Sequence, residues 1–209
     1  MDAVEAAEDE NGPTASFLAR MARSTRAAWI GGLALRGADG RVRNEALAFG
    51  ADGQTLARYA KMHPFSPAGE DRWCAPGHSP VLFSLHGAVM APVICYDLRF
   101  PEIFRHAARK SAEVFFVLAN WPARRRAHWL ALLRARAIEN QAYVAGVNRI
   151  GADPAQRYAG DSVVFDPKGK RLAWARSAEG CIQAVLDMEA LRRYRDEFPA
   201  LKDMRRKGF

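Results

Sequence analysis

The middle of the chain alternates apolar strand candidates with helix candidates, and this order constrains the fold most. AVMAPVIC (88–95) predicts a strand, and PEIFRHAARK (101–110) predicts a helix with proline at its first turn. AEVFFVLAN (112–120) is a continuous apolar run, typical of a strand buried on both faces of a sheet. RRRAHWLALLRARAIEN (124–140) predicts a second, amphipathic helix. The order predicts a layered α/β protein with a mixed sheet.

The second of these helices is expected to face the core through four side chains, with its arginines in solvent: Trp129, Leu132, Leu133 and Ile138. Residues 13–24 predict an earlier helix, and the tail predicts another. Further strands are predicted around the turns at 37–40 and 50–53, at 80–87, and towards the C-terminus in AYVAGVNRI, DSVVFDPKGKRLAWA and CIQAVLDM. No linker or repeat divides the chain, so residues 1–209 are expected to form a single domain.

Composition limits the class of protein. With 209 residues, 49% of them hydrophobic and 26% charged, the chain suits a soluble globular domain. No apolar stretch approaches the ~18 residues that span a bilayer, and the N-terminus lacks a secretory pattern. We therefore expect a cytoplasmic protein without membrane contact. The net charge of +8 comes from short basic clusters broken by acids, without a nucleic-acid motif, so no nucleic-acid partner is expected.

The three cysteines are widely spaced and form no C-x-x-C pair, which indicates neither a zinc site nor a disulfide framework. Cys95 is distinctive because it ends an apolar strand candidate and is followed directly by charged and aromatic residues. Most lone cysteines are small buried hydrophobes. The alternative is a nucleophile, which needs a positive or basic neighbour to lower the pKa of its thiol.

Candidates for that neighbour lie upstream. Lys61 ends another strand candidate just before a long Pro/Gly-rich loop (62–80), and Glu70 lies inside that loop. Each by itself suits a solvated surface residue. Together with Cys95 they would provide a nucleophile, an electrostatic stabiliser and a proton carrier, a set that suits acyl transfer from an amide. The histidines lack the local signatures of papain-like or caspase-like sites.

Four segments in order resemble the carbon-nitrogen hydrolase (nitrilase) superfamily, most closely its omega-amidase branch, which hydrolyses short carboxamides such as 2-oxoglutaramate. They are RYAKMHPFSPAGEDRW, ICYDLRFPEIFR, NWPARRRAHWLALLRARAIENQAYVAGVNR and YAGDSVVFDPKG. The likeness extends from about Gly12 to the tail. It implies a four-layer αββα sandwich, a Glu-Lys-Cys triad acting through a cysteine thioester, no metal or organic cofactor, and a homodimer.

Within this resemblance, Cys95 matches the family's nucleophile and Lys61 its catalytic lysine. Glu70 matches the second glutamate, which orients the lysine and the substrate. The oxyanion is expected to be held by Lys61 together with the backbone N–H of Tyr96. A small carboxamide is the expected substrate, and ammonia and a carboxylic acid are the expected products.

Three further residues are predicted to bind the substrate. Trp121 is expected to line the pocket, with Phe65 as a second candidate, although both also suit ordinary core packing. Arg124, or one of the two arginines that follow it, could bind a substrate carboxylate through the bidentate fork of its guanidinium. Each of these arginines equally suits a solvated surface.

One part of the family pattern has no match. The family's first triad glutamate, in a PE-(M/S)-F type motif, precedes the region that ENGPTASFLARMA resembles, and here that region begins at residue 10. We therefore expect residues 1–209 to lack the first strand, first helix, next strand and general base, through a late start, a fragment or a shortened pseudoenzyme, and to have little activity alone. An N-carbamoyl amine hydrolase, a nitrilase, and a catalytically impaired binding or oligomeric scaffold remain alternatives.

Overall fold

The computed structural model of the protein describes residues 5–177 and 179–205. Within this part of the chain, none of the helices combines the length and apolar composition required to cross a bilayer. The helices are α1 (Pro13–Thr25), α2 (Pro101–Arg109), α3 (Arg126–Glu139) and α4 (Met188–Glu197). The strands are β1 (Trp29–Arg36), β2 (Val42–Phe49), β3 (Thr55–Ala60), β4 (Phe83–Leu85), β5 (Ala88–Ile94), β6 (Val114–Ala119), β7 (Tyr143–Asn148), β8 (Ile150–Ala152), β9 (Arg157–Ala159), β10 (Val163–Phe165) and β11 (Arg171–Trp174).

The first sheet is an antiparallel meander in the order β1-β2-β3. Helix α1 covers its outer face, where Leu18 and Ala22 pack against Leu35, Leu47 and Phe49 of the strands. Together with Ala15 they form one small core of six buried apolar side chains, which explains why residues 13–24 form a helix with a single apolar stripe.

The second sheet has six strands in the order β11-β10-β7-β6-β5-β4. Strands β5, β6 and β7 are parallel, and the outer strands pair antiparallel. The predicted mixed sheet is therefore confirmed. Phe115 and Val117 of β6 are fully buried because α2 and α3 cover one face of the sheet, with Phe104 and Leu133 in the same core. This explains the unbroken apolar run of β6.

The two sheets pack face to face through Ala46 of β2, Tyr59 of β3 and Ile94 of β5, with Leu118 of β6 against them. The layers are thus α1, the three-stranded sheet, the six-stranded sheet, and the pair α2 and α3. This is the αββα order that the family resemblance implies. Strands β8 and β9 form a separate two-stranded hairpin, which the sequence did not predict.

Two predictions for α3 are wrong. Ile138 is 45% exposed, and Arg136 is 5% exposed. The buried positions of the helix lie four, seven and eight residues after Trp129. The buried stripe therefore includes Arg136 and does not include Ile138. Arg136 is buried because its guanidinium donates two hydrogen bonds, of 2.8 and 3.1 Å, to the carbonyl oxygen of Leu98.

The strand predicted at 181–188 is also wrong. Residues 181–187 have no ladder partner among the described residues, and α4 begins at Met188. Exposure alternates along this segment, with Val185 86% exposed and its neighbours half-buried. The alternation of apolar and polar residues does give alternating exposure, as in a strand. A strand also needs a neighbouring strand to pair with its backbone N–H and C=O groups, and this segment has none among the described residues.

Shortening a side chain to alanine should destabilise the protein by different amounts on the buried and exposed sides of α3. We expect Leu133→Ala to lower the free energy of unfolding by about 2–5 kcal/mol, because it leaves a cavity in the fully buried core. Ile138→Ala on the same helix is expected to cost less than about 1 kcal/mol, because that side chain is largely in solvent. Urea unfolding of both variants measures the difference, and equal costs would contradict this packing.

Candidate active site

Cys95 lies directly after β5, at the first residue of a 3₁₀ turn that extends to Arg99. Its φ of +45° falls in the left-handed region, which a side chain other than glycine adopts at a cost. Its thiol is half-buried, and the sulfur lies 3.9 Å from the carbonyl oxygen of Asn120 at the end of β6. A strained backbone at the carboxyl end of a parallel strand is a frequent setting for functional residues.

Lys61 follows β3 and forms a buried ion pair with Glu70. The Nζ of Lys61 lies 2.5 Å from Oε2 of Glu70, and the two residues are 3% and 7% exposed. Glu70 accepts two more hydrogen bonds, from the amide of Asn44 at 2.9 Å and from the backbone N–H of Phe65 at 2.6 Å. Because a buried charge is stable only when it is paired, Glu70 fixes where the ammonium of Lys61 lies.

One cleft of about 740 Å³ brings most of the sequence-predicted site residues together. It lies between the two sheets, with β1 on one wall and the ends of β5, β6 and β7 on the other. Clefts of this size at the carboxyl ends of parallel strands are common ligand sites. The predicted residues that line it are Lys61, Phe65, Glu70, Cys95, Tyr96 and Trp121. No cluster of three or more potential metal ligands occurs among the described residues.

Groups around the cleft shift the pKa of the Cys95 thiol in opposite directions. Burial raises the pKa of Cys95, the Lys61 ammonium lowers it, and the Glu70 carboxylate raises it again. Burial has the largest effect, so the pKa of Cys95 lies above its ordinary value. A neutral thiol at physiological pH must pass its proton to a base before it can attack a carbonyl carbon.

Arg124 does not reach this cleft, so its predicted contact with substrate is not supported. It is exposed, whereas the next residue, Arg125, lines the cleft with its guanidinium 5.8 Å from the centre of the Phe65 ring. Arg126 is held by Asp161 through an ion pair of 2.5 Å. Residues 123–125 form a 3₁₀ turn, in which successive side chains point about 120° apart. The direction of each arginine therefore depends on the turn.

Sequence reasoning missed several residues that line the cleft. Arg99 lies over the ring of Trp121 at 4.8 Å, and Arg149 over the ring of Tyr158 at 4.6 Å. Asn148, at the end of β7, accepts a hydrogen bond of 2.7 Å from the backbone N–H of Trp121. A usable signal existed for Asn148 and Arg149, because they are polar residues at the end of a parallel strand.

Removing the ammonium should make the thiol less reactive. We expect Lys61→Met to raise the pKa of Cys95 further, because the ammonium that favours the thiolate is lost. At neutral pH the alkylation of Cys95 by iodoacetamide should slow several-fold, because a smaller fraction of the thiol is ionised. Peptide mass spectrometry measures it, with exposed Cys181 as the internal reference. An unchanged ratio of the two rates would show that Lys61 does not act on Cys95.

Comparison with known proteins agrees with this geometry. The carbon-nitrogen hydrolase family matches residues 2–196. The 2-oxoglutaramate amidase of Bacillus subtilis is 35% identical over 199 residues, covering 95% of this chain and 77% of that protein. Omega-amidase YafV of Escherichia coli K12 is 40% identical over 190 residues, covering 90% and 73%.

Among solved structures, XC1258 from Xanthomonas campestris, described as a CN-hydrolase superfamily protein with an arsenic adduct in its active site, superposes with a TM-score of 0.92. It is 35% identical, and the match covers all of this chain and 80% of that one. Nit3 from Saccharomyces cerevisiae, a nitrilase superfamily member, matches with a TM-score of 0.86 at 26% identity, over 99% and 76% of the two chains. This chain therefore belongs to the carbon-nitrogen hydrolase (nitrilase) superfamily, in its omega-amidase-like branch.

Proposed function

We propose that this hydrolase cleaves the amide of a small carboxamide with a distal carboxylate, releasing ammonia through a thioester on Cys95. The observation that supports this most is the single cleft that holds the thiol of Cys95 beside the Lys61–Glu70 pair. The chain is similar to proteins named 2-oxoglutaramate amidase and omega-amidase, and the proposed substrate class follows from those names and from the charge of the cleft.

In the first half-reaction, a base takes the proton of Cys95 and the thiolate sulfur attacks the amide carbonyl carbon. The oxygen of the tetrahedral intermediate carries the charge and is stabilised by the Lys61 ammonium and the backbone N–H of Tyr96. The C–N bond then breaks, and the base returns the proton to the leaving nitrogen as ammonia departs. In the second half-reaction, water attacks the thioester carbonyl, which releases the carboxylic acid and restores the thiol.

Glu70 serves in this proposal as a positioning residue rather than as the base. Both of its oxygens already accept hydrogen bonds, from Lys61 and Phe65 on one side and Asn44 on the other. It is the only carboxylate among the described residues that line the cleft. The expectation that a glutamate outside residues 1–209 supplies the base stays a prediction.

The charge of the cleft favours an anionic substrate. Four cationic side chains line it, against the single carboxylate of Glu70: Lys61, Arg99, Arg125 and Arg149. Arg149 lies 3.5 Å from Asp153, which offsets its charge. Among the described residues, Arg125 has no carboxylate within ion-pair distance, so its guanidinium is available to a substrate carboxylate.

Two further properties belong to the proposal. A reducing cytoplasm would keep Cys95 as a free thiol, which the chemistry requires. Family resemblance supports a homodimer. Equilibrium sedimentation would determine the oligomeric state directly.

The role of Arg125 predicts a selective change in substrate binding. We expect Arg125→Ala to raise KM about tenfold or more for glutaramate, because it removes a charge-assisted hydrogen bond to the distal carboxylate. KM for neutral butyramide should change less than about twofold. Steady-state ammonia release measures both.

The matched control is Arg124→Ala, on the same turn but exposed and outside the cleft. It removes the same charge from the protein without touching the cleft, so it corrects for long-range electrostatics. If Arg124→Ala and Arg125→Ala raised KM equally, or if both substrates were affected alike, a direct contact between Arg125 and the carboxylate would be ruled out.

The covalent step predicts an acyl-enzyme. We expect intact-protein mass spectrometry after acid quench to show an adduct of glutaramate minus ammonia, located on the peptide that contains Cys95. Cys95→Ala should show neither the adduct nor ammonia release. The assay is run on residues 1–209 and on a chain extended upstream by the family's PE-(M/S)-F segment.

Comparing residues 1–209 with the extended chain separates the contribution of the nucleophile from that of the additional base. General acid–base help contributes about 10²–10⁴ in rate, so the extended chain should release ammonia faster by roughly that factor. Equal, robust activity of both chains would contradict the need for an additional base. Absence of any adduct in both would favour the binding or scaffold alternative, and faster turnover of N-carbamoyl amines or nitriles would favour the other enzyme classes.

A further inference from the structure

The two reactive side chains of the candidate site come from different sheets. Lys61 follows β3 of the three-stranded sheet, and Cys95 follows β5 of the six-stranded sheet. No backbone hydrogen-bond ladder joins the two sheets among the described residues. The distance between the ammonium and the thiol therefore depends on contacts between side chains across the interface.

Most of that interface is apolar and has little directional preference. Ala46, Ile94 and Leu118 meet there through non-polar surface. The hydrophobic effect favours burial of this surface but is non-directional, so it does not fix one sheet against the other to within a fraction of an ångström. Catalysis requires such precision, because a misplacement of about 1 Å can cost about 10²-fold in rate.

Asp97 provides a directional link across the interface. It is fully buried in the turn that begins at Cys95. Its Oδ2 accepts a hydrogen bond of 2.7 Å from the hydroxyl of Tyr59, and its Oδ1 accepts one of 2.8 Å from the backbone N–H of His63. The ring Nδ1 of His63 also lies 3.0 Å from Oδ1. Its partners thus flank Lys61 by two residues on either side, while Asp97 itself follows Cys95 by two.

Neighbouring contacts hold both ends of this link. The ring of His63 stacks on Phe100, with ring centres 3.7 Å apart, so the loop after β3 and the turn after β5 meet a second time. Arg136 of α3 holds the carbonyl of Leu98 from behind the turn. Burial, together with the negative charge of Asp97, raises the pKa of Tyr59, so its hydroxyl remains a donor.

We propose that Asp97 is a positioning residue that sets the Lys61 ammonium against the Cys95 thiol by tying β3 and the loop after it to the turn after β5. Asp97 is not among the residues that line the cleft. It therefore acts through Lys61 and Cys95, whose positions it sets. The proposal rests on the proposed function of Lys61 and Cys95.

The test compares three variants of the active chain. Asp97→Ala removes the link, whereas Asp97→Asn keeps an acceptor for the His63 N–H and an amide that can pair with the Tyr59 hydroxyl. Glu113→Ala is the matched control. Like Asp97, Glu113 is a buried acid, and its own partners are an arginine and a backbone N–H. It lies beside the start of β5, at the opposite end from Cys95. The measurements are kcat, KM, the melting temperature and the alkylation rate of Cys95.

We expect Asp97→Ala to lower kcat per folded molecule by about tenfold or more with KM within about threefold, because positioning is lost while the cleft lining is kept. Asp97→Asn should retain kcat within about threefold. Glu113→Ala should lower the melting temperature without changing kcat. If Asp97→Ala does not fold, Tyr59→Phe removes one hydrogen bond by deleting a single oxygen and should lower kcat several-fold.

A purely structural role would give a different pattern. If Asp97→Ala, or Tyr59→Phe in its place, had a lower melting temperature but an unchanged kcat per folded molecule, the positioning role would be overturned. The alkylation rate distinguishes this outcome from failure of the proposed function. If the parent chain hydrolysed no amide, slower alkylation of Cys95 in Asp97→Ala than in Asp97→Asn would still support positioning by Asp97, because both variants lose the carboxylate charge that raises the pKa of Cys95. Equal alkylation rates in these two variants would refute it.

Discussion

The face-to-face packing of the two sheets is the constraint on which the candidate site depends. Lys61 directly follows a strand of one sheet and Cys95 directly follows a strand of the other, so neither sheet by itself holds both side chains. Ala46 and Ile94 bring the sheets together through apolar contact. Polar contacts at the ends of these strands then determine how the reactive groups face each other.

Burial of charge explains the arrangement around Lys61. An isolated ammonium at 3% exposure would be strongly disfavoured, and Glu70 stabilises it while being stabilised in turn by Asn44 and a backbone N–H. The same carboxylate and the surrounding burial work against the Cys95 thiolate. The site therefore combines a fixed cation, which can stabilise a developing oxyanion, with a nucleophile that remains protonated until a base takes its proton.

The outer part of the cleft has a different character. Arg99, Arg125 and Arg149 each lie against an aromatic ring, of Trp121, Phe65 and Tyr158 respectively. Such stacking keeps a guanidinium oriented while its N–H groups stay available. A polar, cationic outer region beside a thiol and an ammonium suits a short substrate with an amide at one end and a negative charge at the other.

Local pattern determined much of this protein. The apolar run of β6 and the strand-helix order around it were sufficient to predict a layered α/β protein with a mixed sheet. The αββα order and the common site of Cys95, Lys61 and Glu70 were predicted from the resemblance of the motifs to the carbon-nitrogen hydrolases. Apolar runs and helical stripes are visible in a sequence because side-chain direction repeats at a fixed interval within a strand or a helix.

Tertiary structure alone decided the rest. Which arginine enters the cleft depended on one 3₁₀ turn, the burial of Arg136 depended on the carbonyl of Leu98, and residues 181–187 formed no strand because no neighbour paired with them. The link between Asp97 and Tyr59 joins residues 38 positions apart. Sequence spacing determines which face of an element a side chain takes, whereas partners distant along the chain are fixed only when the sheets pack.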